Sequence, residues 1–83
     1  MDANQLKNRT KVFSIAILEL VEKLPNTISG RAVANQIVRS GTSVGANYRA
    51  VCRARSDREF IAKMSIVIEE SDETMFWLEI VYE

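Results

Sequence analysis

The residues with the clearest chemical potential in this sequence are the arginines of the stretch between Ser29 and Ser56. The stretch contains no lysine and no acid, and its arginines are Arg31, Arg39, Arg49, Arg53 and Arg55. A guanidinium group is planar and donates paired hydrogen bonds to phosphates or carboxylates. The stretch therefore predicts either a phosphate-binding surface or a set of ion pairs.

The first hypothesis is nucleic-acid binding. Arg49 and Arg53 are four residues apart and share one face of a helix, and basic residues near the N-terminus add charge. The candidate nucleic-acid-binding residues are Arg49, Arg53, Arg55, Lys7, Arg9 and Lys11. Only Tyr48 is interleaved with the arginines, so stacking on bases has little support.

The alternative is structural ion pairing, because charge is segregated along the chain. Residues 1–55 hold nine Lys/Arg against three Asp/Glu, and residues 56–83 hold two against eight. The candidate ion-pairing residues are Arg31, Arg39, Glu69, Glu70, Asp72 and Glu73. For Arg39 we favour the ion pair, since the neighbouring Ile37 and Val38 place it near the core.

No combination of residues predicts catalysis. The chain has no histidine, so Cys52 lacks the usual base for a nucleophile and is expected to be a small buried hydrophobe. The acids of residues 69–73 lack the Glu-x-x-His of di-iron bundles. Residues 40–45, SGTSVG, lack the lysine and the preceding strand of a phosphate-binding loop. We expect no enzyme activity, no metal and no cofactor.

Apolar residues at helical spacing predict three helices in a single domain, residues 1–83. The helices are expected at about 4–24, 30–54 and 57–83, with Pro25 ending the first and Ser29 capping the second. A heptad-like rhythm runs through Gly41 and Gly45, which favours one second helix, bent near residues 41–43, over two short helices joined by a loop. Ser56 and Glu59 form the pattern of a capping box.

The third predicted helix is apolar around most of its circumference, so two partner helices cannot cover it. It also lacks a C-cap at the last residue. We therefore expect a fourth helix or another subunit to cover it, and a homo-oligomer in solution. No apolar run reaches the ~20 residues of a membrane span, no signal segment is visible, and the lone thiol fits a reducing compartment. These features predict a cytoplasmic protein.

Four segments of the sequence resemble a known family. Residues 35–50, NQIVRSGTSVGANYRA, and residues 53–56, RARS, are its hallmark, together with residues 70–74, ESDET, and 77–79, WLE. They resemble the small bacterial proteins encoded in intervening sequences of 23S ribosomal RNA genes. Arg9-Thr10-Lys11 and Lys23-Leu24-Pro25 also match.

The resemblance implies an up-and-down antiparallel four-helix bundle that assembles into a ring, often a pentamer. This chain departs from the family pattern, because its sequence predicts three helices and not the fourth. Relatives include the accessory protein of diversity-generating retroelements, which binds nucleic acid and a reverse transcriptase. The implied partners are thus other copies of the chain, RNA or DNA, and a nucleic-acid enzyme.

Two functions remain open at this point. One is an oligomeric, non-enzymatic module that binds nucleic acid or a nucleic-acid enzyme. The other is a structural or interaction protein whose arginines and acids only specify folding and assembly. The pI of about 6.3 weighs against the first, because free-standing nucleic-acid binders are usually basic overall.

Overall fold

The computed structural model describes residues 1–83 and contains three helices and no strand. The helices are α1 (Ala3–Val21), α2 (Ile28–Cys52) and α3 (Asp57–Val81). The prediction of an all-α protein with three long helices is confirmed. Each observed boundary lies within three residues of the predicted one.

A side chain caps the start of each helix. The Asp2 carboxylate accepts a hydrogen bond from the Gln5 backbone N–H at 2.8 Å, and the Gln5 side chain accepts from the Asp2 N–H. The prediction that Ser29 caps α2 is wrong, because the cap is Thr27, whose hydroxyl accepts from the Gly30 N–H at 3.0 Å. These caps satisfy backbone donors that have no partner within the helix.

The capping box predicted for α3 forms only in part. The Ser56 hydroxyl accepts from the Glu59 N–H at 3.1 Å, as expected. The Glu59 carboxylate, however, accepts from the N–H of Arg55 rather than from that of Ser56. The turn between α2 and α3 is therefore tied to the first turn of α3 through Glu59.

The first two helices end earlier than predicted because their last turns tighten. Beyond α1, the N–H groups of Lys23 and Leu24 donate to carbonyls three residues back, and Arg53 and Ala54 do the same beyond α2. Such three-residue hydrogen bonds are typical of fraying helix ends. The chain thus leaves α1 just before Pro25.

α2 is continuous through residues 40–45, so the alternative with a loop there is wrong. The hydroxyls of Ser40, Thr42 and Ser43 donate to carbonyls within the helix. Gly41 faces α1, where a Cβ would lie 2.9 Å from Ile17 Cγ1. Gly45 also faces α1, and its Cβ would lie 3.3 Å from the Thr10 backbone. The two glycines let α1 approach closely, which sequence periodicity alone does not reveal.

α2 is the central helix, and α1 and α3 pack antiparallel against it on separate faces. No Cα of α1 lies within 8 Å of a Cα of α3. The principal core cluster is made by Val44, Tyr48, Val51 and Val67. Because α1 and α3 do not close on each other, an open groove, here called the α1–α3 groove, runs between them above α2. None of the three helices combines the length and the apolarity that crossing a bilayer requires.

Candidate functional site

The antiparallel arrangement gathers most of the basic residues at one end of the molecule, here called the basic end. The start of α1, the end of α2 and the start of α3 meet there, so that residues 1–14 and 45–66 hold eight Lys/Arg against three Asp/Glu. The remaining residues hold three against eight. The basic residues of this end are Lys7, Arg9, Lys11, Arg49, Arg53, Arg55, Arg58 and Lys63. None of them has a carboxylate within 4.0 Å.

Three of these cations line one depression between the first two helices, here called the α1–α2 groove. Lys7 and Lys11 come from α1 and Arg49 from α2, and the cavity has a volume of about 320 Å³. Thr10 and Gly45, where the two helices approach closely, also line it. No acid is among the lining residues. The groove is therefore a surface on which an anion meets positive charge only.

Arg53 and Arg55 lie in a second depression, at the turn between α2 and α3. Lys63 of α3 adds a third cation, but the Glu59 carboxylate is also part of the lining. Glu59 accepts from the Arg55 backbone N–H at 3.3 Å, which holds its negative charge at this place. The second depression thus has mixed charge.

Arg9 is separated from the other candidates of α1. It lines the α1–α3 groove rather than the α1–α2 groove, and its Nη1 lies 3.9 Å from the Met1 sulfur. Helical spacing explains the difference, because Arg9 lies about 160° around the helix from Lys7 and Lys11 is adjacent to Lys7. The sequence placed these three residues in one candidate set, and the fold divides them.

Arg39 is the one arginine held by acids. Its Nη1 donates to Glu70 Oε2 at 3.2 Å, and its Nη2 forms an ion pair with Glu73 and a hydrogen bond to Gln36 Oε1 at 3.2 Å. The indole N–H of Trp77 also donates to Glu73 Oε2, at 3.1 Å. This network joins the outer faces of α2 and α3.

The other members of the predicted ion-pairing set do not join it. Arg31 lies in the first turn of α2, eight residues before Arg39, and donates to the Asn26 side-chain oxygen at 3.0 Å instead. Glu69 and Asp72 are exposed and have no basic partner, because the outer face of α3 points away from α2. For these three residues the structure differs from the prediction.

The α1–α3 groove is mainly apolar. Its walls include Leu6 and Phe13 from α1 and Met75 and Leu78 from α3, with Val44 of α2 at its floor. Residues at seven-residue intervals continue the α3 wall, and Ile61, Ile68 and Met75 are 64%, 62% and 59% exposed. The broad apolar surface predicted for the third helix is present and, in this single chain, uncovered.

Tyr48 and Cys52 lie one turn apart on α2. Burial raises the pKa of the Tyr48 phenol, and the neighbouring Cys52 thiol raises it further. The expectation that Cys52 is buried is wrong: it is exposed, because it belongs to the last turn of α2, at the level where α1 only begins.

Comparisons with known proteins assign the chain to a family. The family model for the 23S rRNA-intervening sequence protein matches residues 3–83. The chain belongs to the 23S rRNA-intervening sequence protein family. The resemblance inferred from the hallmark segments is thereby confirmed. No curated protein matches the chain.

A solved structure from a related family agrees with the fold of this chain. It is the crystal structure of a protein of unknown function from the S23 ribosomal protein family of Bacteroides thetaiotaomicron VPI-5482, 38% identical in sequence with a TM-score of 0.88. The match covers 99% of this chain and 73% of that one. The relative therefore contains further residues beyond the matched three-helix unit.

Sequence reasoning on this family member missed Lys63 and the division of the basic residues between two grooves. Lys63 lies in a segment that is acidic on balance, so the local sequence does not indicate that it belongs to a basic surface. The short connection between the second and third predicted helices indicates that they pair antiparallel, and this pairing would have placed Lys63 beside Arg53.

Proposed function

We propose that this chain is a non-enzymatic, self-associating helical-bundle protein of the cytoplasm whose basic end binds the phosphate backbone of nucleic acid. The observation that carries the proposal is the collection of eight Lys/Arg at one end of the bundle. Proteins bind DNA and RNA largely by neutralising phosphates with such residues. A nucleic-acid enzyme is a further partner that this end would meet on the same strand.

The state of these cations supports the proposal. Arg39, which has two acidic partners, is the exception among the arginines of α2. Arg49 and Arg53 have exposed side chains with no carboxylate in reach, so their guanidinium groups remain available. If the arginines served only to pair with acids of the same chain, few of them would be exposed without a carboxylate partner.

The overall neutrality of the chain does not contradict local binding. Positive and negative residues are separated along a molecule that is 45 Å in its longest dimension, and this distance is several times the Debye length of about 8 Å at physiological ionic strength. A phosphate at the basic end is thus screened from most of the acids at the other end. Self-association that aligns the basic ends would add their fields.

The α1–α3 groove supports the self-association part of the proposal. An apolar groove of this kind exposes surface that a further helix covers in bundles. We propose that the helix comes from a neighbouring copy or is the fourth helix of a complete bundle, and that the assembly is a closed ring, with a pentamer favoured by the family resemblance. Light scattering tests this, and a monomer mass at micromolar concentration would contradict it.

Fluorescence anisotropy with labelled single-stranded RNA and DNA and with duplex DNA tests the binding. If several phosphates are contacted, affinity falls steeply between ~50 and ~200 mM salt, and the slope reports the number of contacts. Absence of binding to every probe at the lower salt concentration would reject the proposal.

A second candidate is a structural or interaction protein with no role in nucleic-acid binding. The network of Arg39, Glu70, Glu73 and Trp77 favours it, because these charges act within the fold. In that case the protein would self-associate without binding the labelled probes at any salt concentration. The two measurements together separate the candidates.

A further inference from the structure

The two basic depressions of the basic end differ in what an anion would meet there. In the α1–α2 groove the charged residues are Lys7, Lys11 and Arg49, and all are cations. In the depression at the α2–α3 turn, Glu59 accompanies Arg53, Arg55 and Lys63. Each depression offers a phosphate three positive charges, but in the second one the Glu59 carboxylate also repels it.

The polar groups of the α1–α2 groove leave the three cations as its available donors. The Thr10 hydroxyl lies 3.0 Å from the carbonyls of Leu6 and Lys7, and the Ser14 hydroxyl donates to the Thr10 carbonyl at 3.0 Å. No aromatic residue lines the groove. The groove therefore offers charge and charge-assisted hydrogen bonds, with neither a platform for stacking nor a free neutral donor for base edges.

We propose that the α1–α2 groove holds a backbone phosphate of nucleic acid between Lys7 and Lys11 of α1 and Arg49 of α2. This inference rests on the proposed function and assigns its principal phosphate contact. Gly45, which has no side chain, and Ala46, which has a methyl group, also line the groove, so no large side chain of α2 lies between the phosphate and the cations of the two helices. Binding at this site is independent of base sequence.

Charge removal in the groove tests the proposal by anisotropy with a labelled 20-residue single-stranded RNA. Each of Lys11→Gln and Arg49→Gln is expected to weaken binding and to reduce the slope of log affinity against log salt by about 1, and the double variant by about 2. The matched control is Arg31→Gln, which removes the same charge from α2 at the opposite end and is expected to leave the slope unchanged.

Charge addition provides a second variant that does not remove a native contact. Ala46→Glu places an acid in the groove on an exposed helical position, and it is expected to weaken binding at least as much as Arg49→Gln. Ala32→Glu makes the same change on the exposed surface of α2 near its start, away from the groove. Circular dichroism of each variant verifies that the helices are retained.

The outcomes separate this inference from the proposed function. If the unmodified protein binds RNA but the groove variants behave like Arg31→Gln and Ala32→Glu, the groove assignment is overturned and the function stands. If the unmodified protein binds no probe at low salt, both are overturned. A labelled polyglutamate of equal charge that binds as tightly, with the same dependence on Arg49, would overturn the assignment to phosphate.

Discussion

The Thr74 hydroxyl donates a hydrogen bond to the Ser40 hydroxyl at 2.9 Å in the buried contact between α3 and α2. Both side chains are almost fully buried, at 1% and 0% exposure, and Ser40 in turn donates to the Gln36 carbonyl. A buried hydroxyl without a partner is unfavourable. A shift of α3 by one residue along α2 would separate this pair, so it contributes to the register of the two helices.

We expect Ser40→Ala and Thr74→Val each to lower the free energy of unfolding by about 1 kcal/mol, because each leaves a buried hydroxyl with fewer partners. The double variant is expected to lose less than the sum, since no unpaired hydroxyl remains across the contact. Urea unfolding of the four proteins measures the coupling. Ser65→Ala, on the exposed face of α3, is the control, and additive losses for the buried pair would contradict the expectation.

Gly41→Ala is expected to destabilise the protein although alanine favours a helix by about 1 kcal/mol over glycine. The added Cβ would lie 2.9 Å from Ile17 Cγ1 and 3.0 Å from Ile17 Cγ2, and overpacking of this kind typically costs about 1–3 kcal/mol. Ile17→Ala removes both atoms, so the same glycine substitution in that background should be neutral or stabilising. Thermal unfolding followed by circular dichroism compares the pairs, and an equal effect of Gly41→Ala in both backgrounds would argue against the close approach of α1 to α2.

The raised pKa of Tyr48 predicts a loss of stability in alkaline solution. The folded state holds the phenol protonated above its ordinary pKa of 10.0, mainly because the side chain is buried. Below that value the phenol is neutral in both states, and above it the unfolded chain loses the proton first, so the free energy of unfolding falls as pH rises.

Tyr48→Phe tests this pH dependence. The variant should lose less stability than the unmodified protein between about pH 9 and about pH 11, because phenylalanine has no proton to release. Tyr82→Phe, at an exposed position, should leave the dependence unchanged. Urea unfolding at several pH values measures both, and parallel curves for all three proteins would contradict the assignment to Tyr48.

Acids placed in the α1–α3 groove are expected to prevent self-association. Phe13→Glu and Met75→Glu put a charge on opposite walls of the apolar groove. A helix that covered the groove would then bury a carboxylate without a partner, which is unfavourable. Light scattering should then give a mass close to the 9.4 kDa of one chain. Ala62→Glu, an exposed position on α3 outside the groove, should retain the mass of the unmodified protein, and retention of that mass by the two groove variants would contradict the role of this surface.

Much of the fold follows from local pattern. The spacing of apolar residues and the break at Pro25 predict three helices, and the hallmark segments of residues 35–50 and 53–56 predict the family. Cap assignments were less secure, as Thr27 and Ser29 show. Both residues can cap a helix, and the choice depends on where the helix begins: α2 begins at Ile28, so the cap is Thr27 and its hydroxyl accepts from the Gly30 N–H.

The sequence predicted which residues could form the candidate site, but not which of them lie together in the fold. The sequence by itself determined that residues 1–55 are basic and residues 56–83 acidic, because residue identity fixes charge. Only the tertiary structure decided which charges meet, since antiparallel packing brings Lys7 beside Arg49 and sets Arg39 against Glu73, while Arg9 turns toward the apolar groove. The physical reason is that helical phase and the register of packed helices determine which side chains share a face, and register depends on contacts between residues far apart in the chain.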